Sequence, residues 1–156
     1  MPAIDFLIRS LEQRELDAAI SLRARMHHEL NGVHADDEYP GWRERFKEFF
    51  ATRMAADGAA VFVAQAGAEP VGLSSVYQLK NHRTEIFRRP IAYITSVYVV
   101  PERRRQGLAT RLTQACVYWA RAHGCQVVRL RTSPMGREVY TRMGFTPSDE
   151  LELRAD

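Results

Sequence analysis

Between Val97 and Thr110 the chain reads Val-Tyr-Val-Val-Pro-Glu-Arg-Arg-Arg-Gln-Gly-Leu-Ala-Thr. An apolar run stops at a proline, three arginines follow, and the side chains then shrink at Gly107 and Ala109. A helix starting at Gly107 or Leu108 presents backbone N–H groups with no intrahelical acceptor, and its dipole adds partial positive charge there. Glycine and alanine leave room for a ligand to approach those N–H groups, and Arg104 and Arg105 add full charges beside them. The chemistry this suits is the holding of a pyrophosphate. Read alone, the stretch fits a solvated basic turn ahead of an ordinary helix equally well. It is neither a Walker loop, which needs Gly-x-x-x-x-Gly-Lys, nor a three-glycine dinucleotide fingerprint.

The elements that must position this stretch are legible from periodicity. Ile4, Phe6 and Ile8 alternate and predict a first strand. Leu16, Ala19, Ile20, Met26 and Leu30 recur at helical spacing until Asn31-Gly32. A polar loop over residues 34–41 leads to a second helix with Trp42, Phe46, Phe49, Phe50 and Met54 on one side. Two apolar runs, residues 60–65 and 71–77, flank a Gly/Pro turn and predict a hairpin. A basic loop over residues 80–90 precedes a strand at 91–100. An amphipathic helix with Leu108, Leu112, Ala115, Cys116 and Trp119 follows, and then a strand at 127–131. A short helix ends at Met143-Gly144, and a last strand is expected around Leu151–Leu153. The order is β-α-α-β-β-β-α-β-α-β, an α+β (three-layer α/β) arrangement around one sheet.

Length and composition narrow the function classes. The 156 residues predict one domain, 1–156, able to bury its own core. A formal charge of +3 is too small to make nucleic acid the default partner. Cys116 and Cys125 form no Cys-x-x-Cys pair, and His27, His28 and His34 show no metal-ligand pattern, so no metal is expected. Charged residues interrupt the N-terminus, and the longest apolar run is about half a membrane span, which predicts a cytoplasmic protein without a membrane partner.

Three matches now converge on one family. Arg104-Arg-Gln-Gly-Leu-Ala109 resembles the acyl-CoA-binding signature Arg/Gln-x-x-Gly-x-Gly/Ala of the GNAT N-acetyltransferase superfamily. Val97-Tyr-Val-Val-Pro101 resembles the strand that precedes that signature, and Val139-Tyr-Thr-Arg-Met-Gly-Phe145 resembles the family's Leu-Tyr-x-x-x-Gly-Phe ending. Their order and separations agree with the element order over nearly the whole chain.

The resemblance implies a mixed, mostly antiparallel sheet flanked by helices and splayed where acyl-CoA lies. It implies that Arg104, Arg105, Gln106, Gly107, Leu108, Ala109 and Thr110 wrap the pyrophosphate of acetyl-CoA. Val97, Tyr98 and Val99 would then pair with the pantetheine arm by strand addition. Ser133 stands where the family often has asparagine and can still donate to pantetheine. Tyr140 is the expected general acid for the departing thiolate. The reaction implied is direct acetyl transfer from acetyl-CoA to a primary amine, with no covalent enzyme intermediate. No carboxylate lies in the strand at 91–100, so no general base is assigned; Glu38, Glu85, His28 and His82 are candidates. The acidic run Asp36-Asp37-Glu38 could attract a cationic amine, although an ordinary exposed loop explains it better. A homodimer is an arrangement common in the family. Two other readings stand beside this one: a non-catalytic acyl-CoA sensor on the same fold, and a nucleic-acid module using Arg103–Arg105. The second lacks aromatic residues interleaved with the arginines between positions 101 and 110.

Overall fold

In the computed structural model, which describes residues 4–155, five strands form one sheet in the order β1-β2-β3-β4-β5. The strands are β1 (Phe6–Ser10), β2 (Ala59–Ala66), β3 (Glu69–Leu79), β4 (Ile91–Val99) and β5 (Val127–Leu130). The first four run antiparallel as successive neighbours, and β5 joins β4 in parallel. A parallel neighbour needs a crossover. Helix α5 (Leu108–Ala122) supplies it.

Helices cover both faces of the sheet. Helices α1 (Leu16–Asn31) and α3 (Trp42–Ala55) lie on one side, and α5 lies on the other. This is why β3 is buried without interruption from Val71 to Val76 rather than in alternation. Leu16, Ala19 and Leu22 of α1 and Phe50 of α3 meet Val61, Val63, Val71 and Leu73 of the sheet. On the opposite side Cys116 and Ala120 of α5 pack on Val76, Ala92 and Ile94. Gly32 (φ 73°) closes α1, as the sequence predicts, with its N–H bonded to the His28 carbonyl.

Four local readings are revised. Leu30 is exposed, because the last turn of α1 turns Glu29 rather than Leu30 to the sheet, where it accepts from the Tyr98 hydroxyl. Within the polar loop, Ala35–Glu38 forms a short helix, α2. Another, α4 (His82–Ile86), forms in the basic loop, where the Asn81 side chain accepts from the N–H groups of Arg83 and Thr84. The strand expected at Leu151–Leu153 does not form. Leu151 is 100% exposed and Leu153 89%, so the alternation Leu-Glu-Leu has no apolar surface to bury against. The segment is instead tied to β5 and the residue after it through Arg129–Glu150 and Arg131–Glu152 ion pairs.

At Gly72 the sheet and α5 approach closely. A Cβ there would stand 2.9 Å from Leu112 Cδ1, 3.3 Å from the Ala64 Cβ and 3.3 Å from the Tyr98 carbonyl. Leu112 is fully buried and has no space to yield. Gly72→Ala is therefore expected to lower stability by about 1–3 kcal/mol, the usual cost of overpacking a dense core. Urea denaturation of the two proteins measures it.

Candidate active site

The site begins with a bulge. Leu73 of β3 pairs with Tyr98, and Ser75 pairs with Thr95, so Ser74 alone faces both Ser96 and Val97. Ser96 takes a left-handed conformation (φ 58°) to accommodate the extra residue, and Ser75 Oγ donates to the Thr95 carbonyl at 2.9 Å. An inserted residue reverses which face each later side chain meets. Tyr93, paired with Tyr77, faces α3, where Phe49 touches Tyr77 edge-on. Ala92 and Ile94 face α5. Beyond the bulge the even-numbered Tyr98 is the one turned to α1.

The ladder between β4 and β5 also ends here. Its last pair is Ile94 with Leu130, while β4 continues to Val99. Residues 95–99 thus have β3 on one side and no strand on the other. This is the splay that the family resemblance implies, and it leaves the backbone of Val97, Tyr98 and Val99 beside a gap.

The arginine stretch lies at the end of that gap. A single 3₁₀ turn (Pro101–Arg103) follows β4, Arg105 adopts φ 63°, and Gly107 (φ 75°) sits at the start of α5. Two left-handed residues, two positions apart, lead the chain into α5. A Cβ on Gly107 would meet nothing within 4 Å, so the space beside Gly107 at the start of α5 is open. Arg105 and Gln106 are exposed, Leu108 is buried beneath the loop, and Ala109 and Thr110 are half-buried on the first turn.

Arg104 behaves differently from its neighbours. Its Nε donates to the Val99 carbonyl at 2.9 Å, and its terminal nitrogen reaches both oxygens of Glu29 at 2.7 and 2.8 Å. Glu29 also accepts from the Tyr98 hydroxyl at 2.8 Å. One carboxylate on α1 therefore fastens the end of β4 and the loop that follows it. One turn earlier Arg25 pairs with Glu102 at 3.4 Å, a second tie between the same elements. Nothing in the local sequence marks Glu29, which lies 75 residues from Arg104.

Tyr140 stands on α6 (Arg137–Arg142), half-buried, with its ring edge-on to Phe145 at 5.9 Å between centroids. Burial raises its pKa above the ordinary tyrosine value. Gly136 is small for a reason: a Cβ there would lie 3.0 Å from the Tyr140 ring and 3.1 Å from Thr132 Oγ1. Ser133 is exposed, and its Oγ accepts the Gly136 N–H at 3.3 Å, closing the turn before α6. A cavity of about 580 Å³ opens beside Tyr140, bounded by β5, α6 and the C-terminal segment.

The acidic run is only partly available to a ligand. Asp36 is engaged by Trp42 Nε1 at 2.9 Å and by two nitrogens of Arg43 at 2.8 and 2.9 Å. Glu38 lies 3.8 Å from His27 Nε2, a buried nitrogen that makes no hydrogen bond. His28 stacks on His34 at 4.2 Å. Among the described residues no group of three or more His, Cys, Asp or Glu side chains could hold a metal, and no helix is long and apolar enough to cross a membrane.

Comparison with known proteins matches this geometry to a class. Residues 23–145 match the family described as the Acetyltransferase (GNAT) family. The chain belongs to that family and is an acetyltransferase. It is 24% identical to an aminoglycoside N(6')-acetyltransferase type 1 of Salmonella typhimurium, with 92% of this chain and 94% of that one covered. Among solved structures, a Clostridium acetobutylicum acetyltransferase with acetyl-CoA superposes with a TM-score of 0.82 at 22% identity, covering 96% of each chain. The aminoglycoside acetyltransferase AAC(6')-Iy, in complex with a CoA–acetylneamine bisubstrate analogue, gives 0.72 at 21% identity, covering 97% of this chain and 98% of that one. At these identities the structural likeness establishes the fold.

The Glu29 tie has a definite pH dependence. Partial burial pushes the Glu29 carboxyl up, but the Tyr98 and Arg104 hydrogen bonds and the charges of Arg104 and Arg25 outweigh it and hold it below the usual glutamate range. A depressed folded-state pKa gives stability that is present above the unfolded pKa and lost as pH falls through the folded one. Glu29→Ala should cost about 1–2 kcal/mol at neutral pH, because a charged acceptor of two hydrogen bonds is lost from a partly exposed site. The difference from the parent should shrink below about pH 4. Denaturation midpoints measured from pH 3 to 7 test both statements.

Proposed function

We propose that the protein transfers an acetyl group from acetyl-CoA directly to a primary amine of a small molecule. The observation that carries this reading is the β4–β5 gap running into the open tip of α5. The gap is long enough for a peptide-like arm to add to β4 at residues 97–99, and the tip offers unpaired N–H groups to a diphosphate. These residues fit acetyl-CoA: an exposed Arg105, open space beside Gly107, and a sheet edge that no strand fills. When bound, acetyl-CoA supplies the activated acyl group as a thioester.

The named residues then have distinct roles. Gln106, Gly107, Leu108, Ala109 and Thr110 present the helix tip to the diphosphate, with Arg105 as the neighbouring charge. Arg104 acts from below, holding the loop through Val99 and Glu29 rather than reaching outward. Ser133, in the turn before α6, would donate its hydroxyl to the pantetheine arm. In the transfer a C–N bond forms and the C–S bond breaks; Tyr140 Oη gives its proton to the leaving thiolate, and the amine's proton passes to water. The raised Tyr140 pKa keeps the phenol protonated across the physiological range.

Direct transfer is favoured by the state of the nearest thiol. Burial pushes Cys116 up to about 12, against a weaker opposing hydrogen bond from Ser74. It is fully enclosed, so it is neither a thiolate nor accessible to a thioester. The aminoglycoside acetyltransferases among the relatives support an amine acceptor, and the structure with acetyl-CoA supports the donor.

Tyr140→Phe is expected to lower kcat about 100-fold, the usual worth of a positioned general acid, while the rise in Tm on adding acetyl-CoA persists. In the parent, any alkaline fall in kcat due to Tyr140 should lie above about pH 10, since the shift is upward. Gly136→Ala, which forces the same ring to move, should reduce kcat with little change in KM for acetyl-CoA. Steady-state thiol-release kinetics over a pH series check all three. An unchanged kcat in Tyr140→Phe would remove Tyr140 from the reaction.

A further inference from the structure

The face of the sheet away from α5 carries a row of side chains that the transfer chemistry does not use. Tyr77, Tyr93 and Arg129 are register partners across β3, β4 and β5, so all three project from the same face. The two tyrosine rings lie 5.7 Å apart. The row stands one residue before the last ladder pair, Ile94 with Leu130, and Arg131 is the first residue beyond it. At about 3.3 Å per strand residue, Arg129 and Arg131 bracket the point where the strands part. The cavity of about 580 Å³ beside Tyr140 is lined by Tyr93, Arg129, Arg131 and Arg137. A cavity of this size suits a small molecule.

The other wall of that cavity is the C-terminal segment, and how it is held is informative. Glu150 approaches Arg129 at 3.7 Å, and Glu152 approaches Arg131 at 2.7 Å. The two leucines of the segment are almost wholly exposed, so apolar packing does not hold it there. Both glutamates are more than half exposed, and solvent-screened pairs of this kind contribute little to stability. The two carboxylates occupy the guanidiniums in a form that a ligand carboxylate can replace.

We propose that this cavity is the acceptor site, and that it selects amines carrying a carboxylate next to an apolar or aromatic body, as in an amino acid. Arg129 and Arg131 take the carboxylate, Tyr93 lines the apolar side, and the amine reaches the gap beyond Ile94. The proposal rests on the acetyltransferase reading given above. It sets this chain apart from the aminoglycoside acetyltransferases it is similar to, because the cavity holds three arginines, Arg129, Arg131 and Arg137, against two glutamates, Glu150 and Glu152, that are already engaged in ion pairs. The acidic run that would favour such a cation is partly neutralised, with Asp36 held by Arg43.

The test is a thiol-release assay with saturating acetyl-CoA on the full chain. The amines are phenylalanine, tyrosine and leucine, their amides, and a set of aminoglycosides. For at least one amino acid, kcat/KM should exceed that of its amide, and of every aminoglycoside, by ten-fold or more. Arg129→Met and Arg131→Met, which keep the apolar stem, should each cut the acid-to-amide ratio at least five-fold through KM. Glu150→Gln with Glu152→Gln should lower KM for the acid, by freeing the guanidiniums. Equal turnover of acid and amide, or an aminoglycoside as the best acceptor, would overturn the proposal. If no amine in the panel reacts, the Tm of the CoA-saturated protein is measured with N-acetylphenylalanine and with its amide. A larger rise with the acid upholds the proposal, and equal or absent shifts overturn it. The rise in Tm with acetyl-CoA alone reports separately on the transferase reading: its absence removes both, whereas its presence without acid preference removes only the acceptor assignment.

Discussion

The separation of β4 from β5 after Ile94 and Leu130 is the constraint on which the rest of this structure depends. A parallel pair that stayed zipped to Val99 would bury its own backbone and leave no edge for a ligand. The bulge at Ser96 and Val97 accompanies that parting, adding a residue to β4 just where β5 leaves it. One left-handed serine costs about 1 kcal/mol in backbone strain. The Ser75 hydrogen bond to Thr95 and the buried packing of β3 on both faces hold it in place.

The bulge also decides what α1 can grip. By reversing the facing of later side chains, it turns Tyr98 toward Glu29, and Glu29 in turn captures Arg104. The loop that leads into α5 is thus tied to α1, and it contains the left-handed residues Arg105 and Gly107. Charge is divided accordingly. Arg104 is neutralised within the protein, while Arg105 remains exposed to whatever anion meets the helix tip. A basic triplet that looks uniform in the sequence therefore contains one structural cation and a freer neighbour.

Much of this architecture is legible in the amino-acid sequence. The hairpin of β2 and β3, the strand β4, the amphipathic α5 and the short α6 follow from periodicity and from turn residues such as Gly67 and Gly144. The signature around Gly107, the strand before it and the Tyr140–Phe145 ending point to the family that the comparisons establish. What escapes a sequence reading is non-local. Glu29 reads as an ordinary helix-surface glutamate, and only the parity of β4 brings Tyr98 to it. The bulge depends on β3, so no local pattern in residues 95–97 announces it. The Leu151–Leu153 alternation fails as a strand for the same reason, since pattern predicts a face but not the surface it must cover. The row Tyr77–Tyr93–Arg129 exists only once three strands are in register.

The most direct test of the central claim is amide hydrogen exchange of the full chain, with and without acetyl-CoA. If the gap and the helix tip receive the cofactor, protection should rise at residues 95–99 and 107–110, with the distant hairpin turn at Gly67 unchanged. Exchange that stays the same at both segments, at acetyl-CoA concentrations that saturate any binding, would contradict the account.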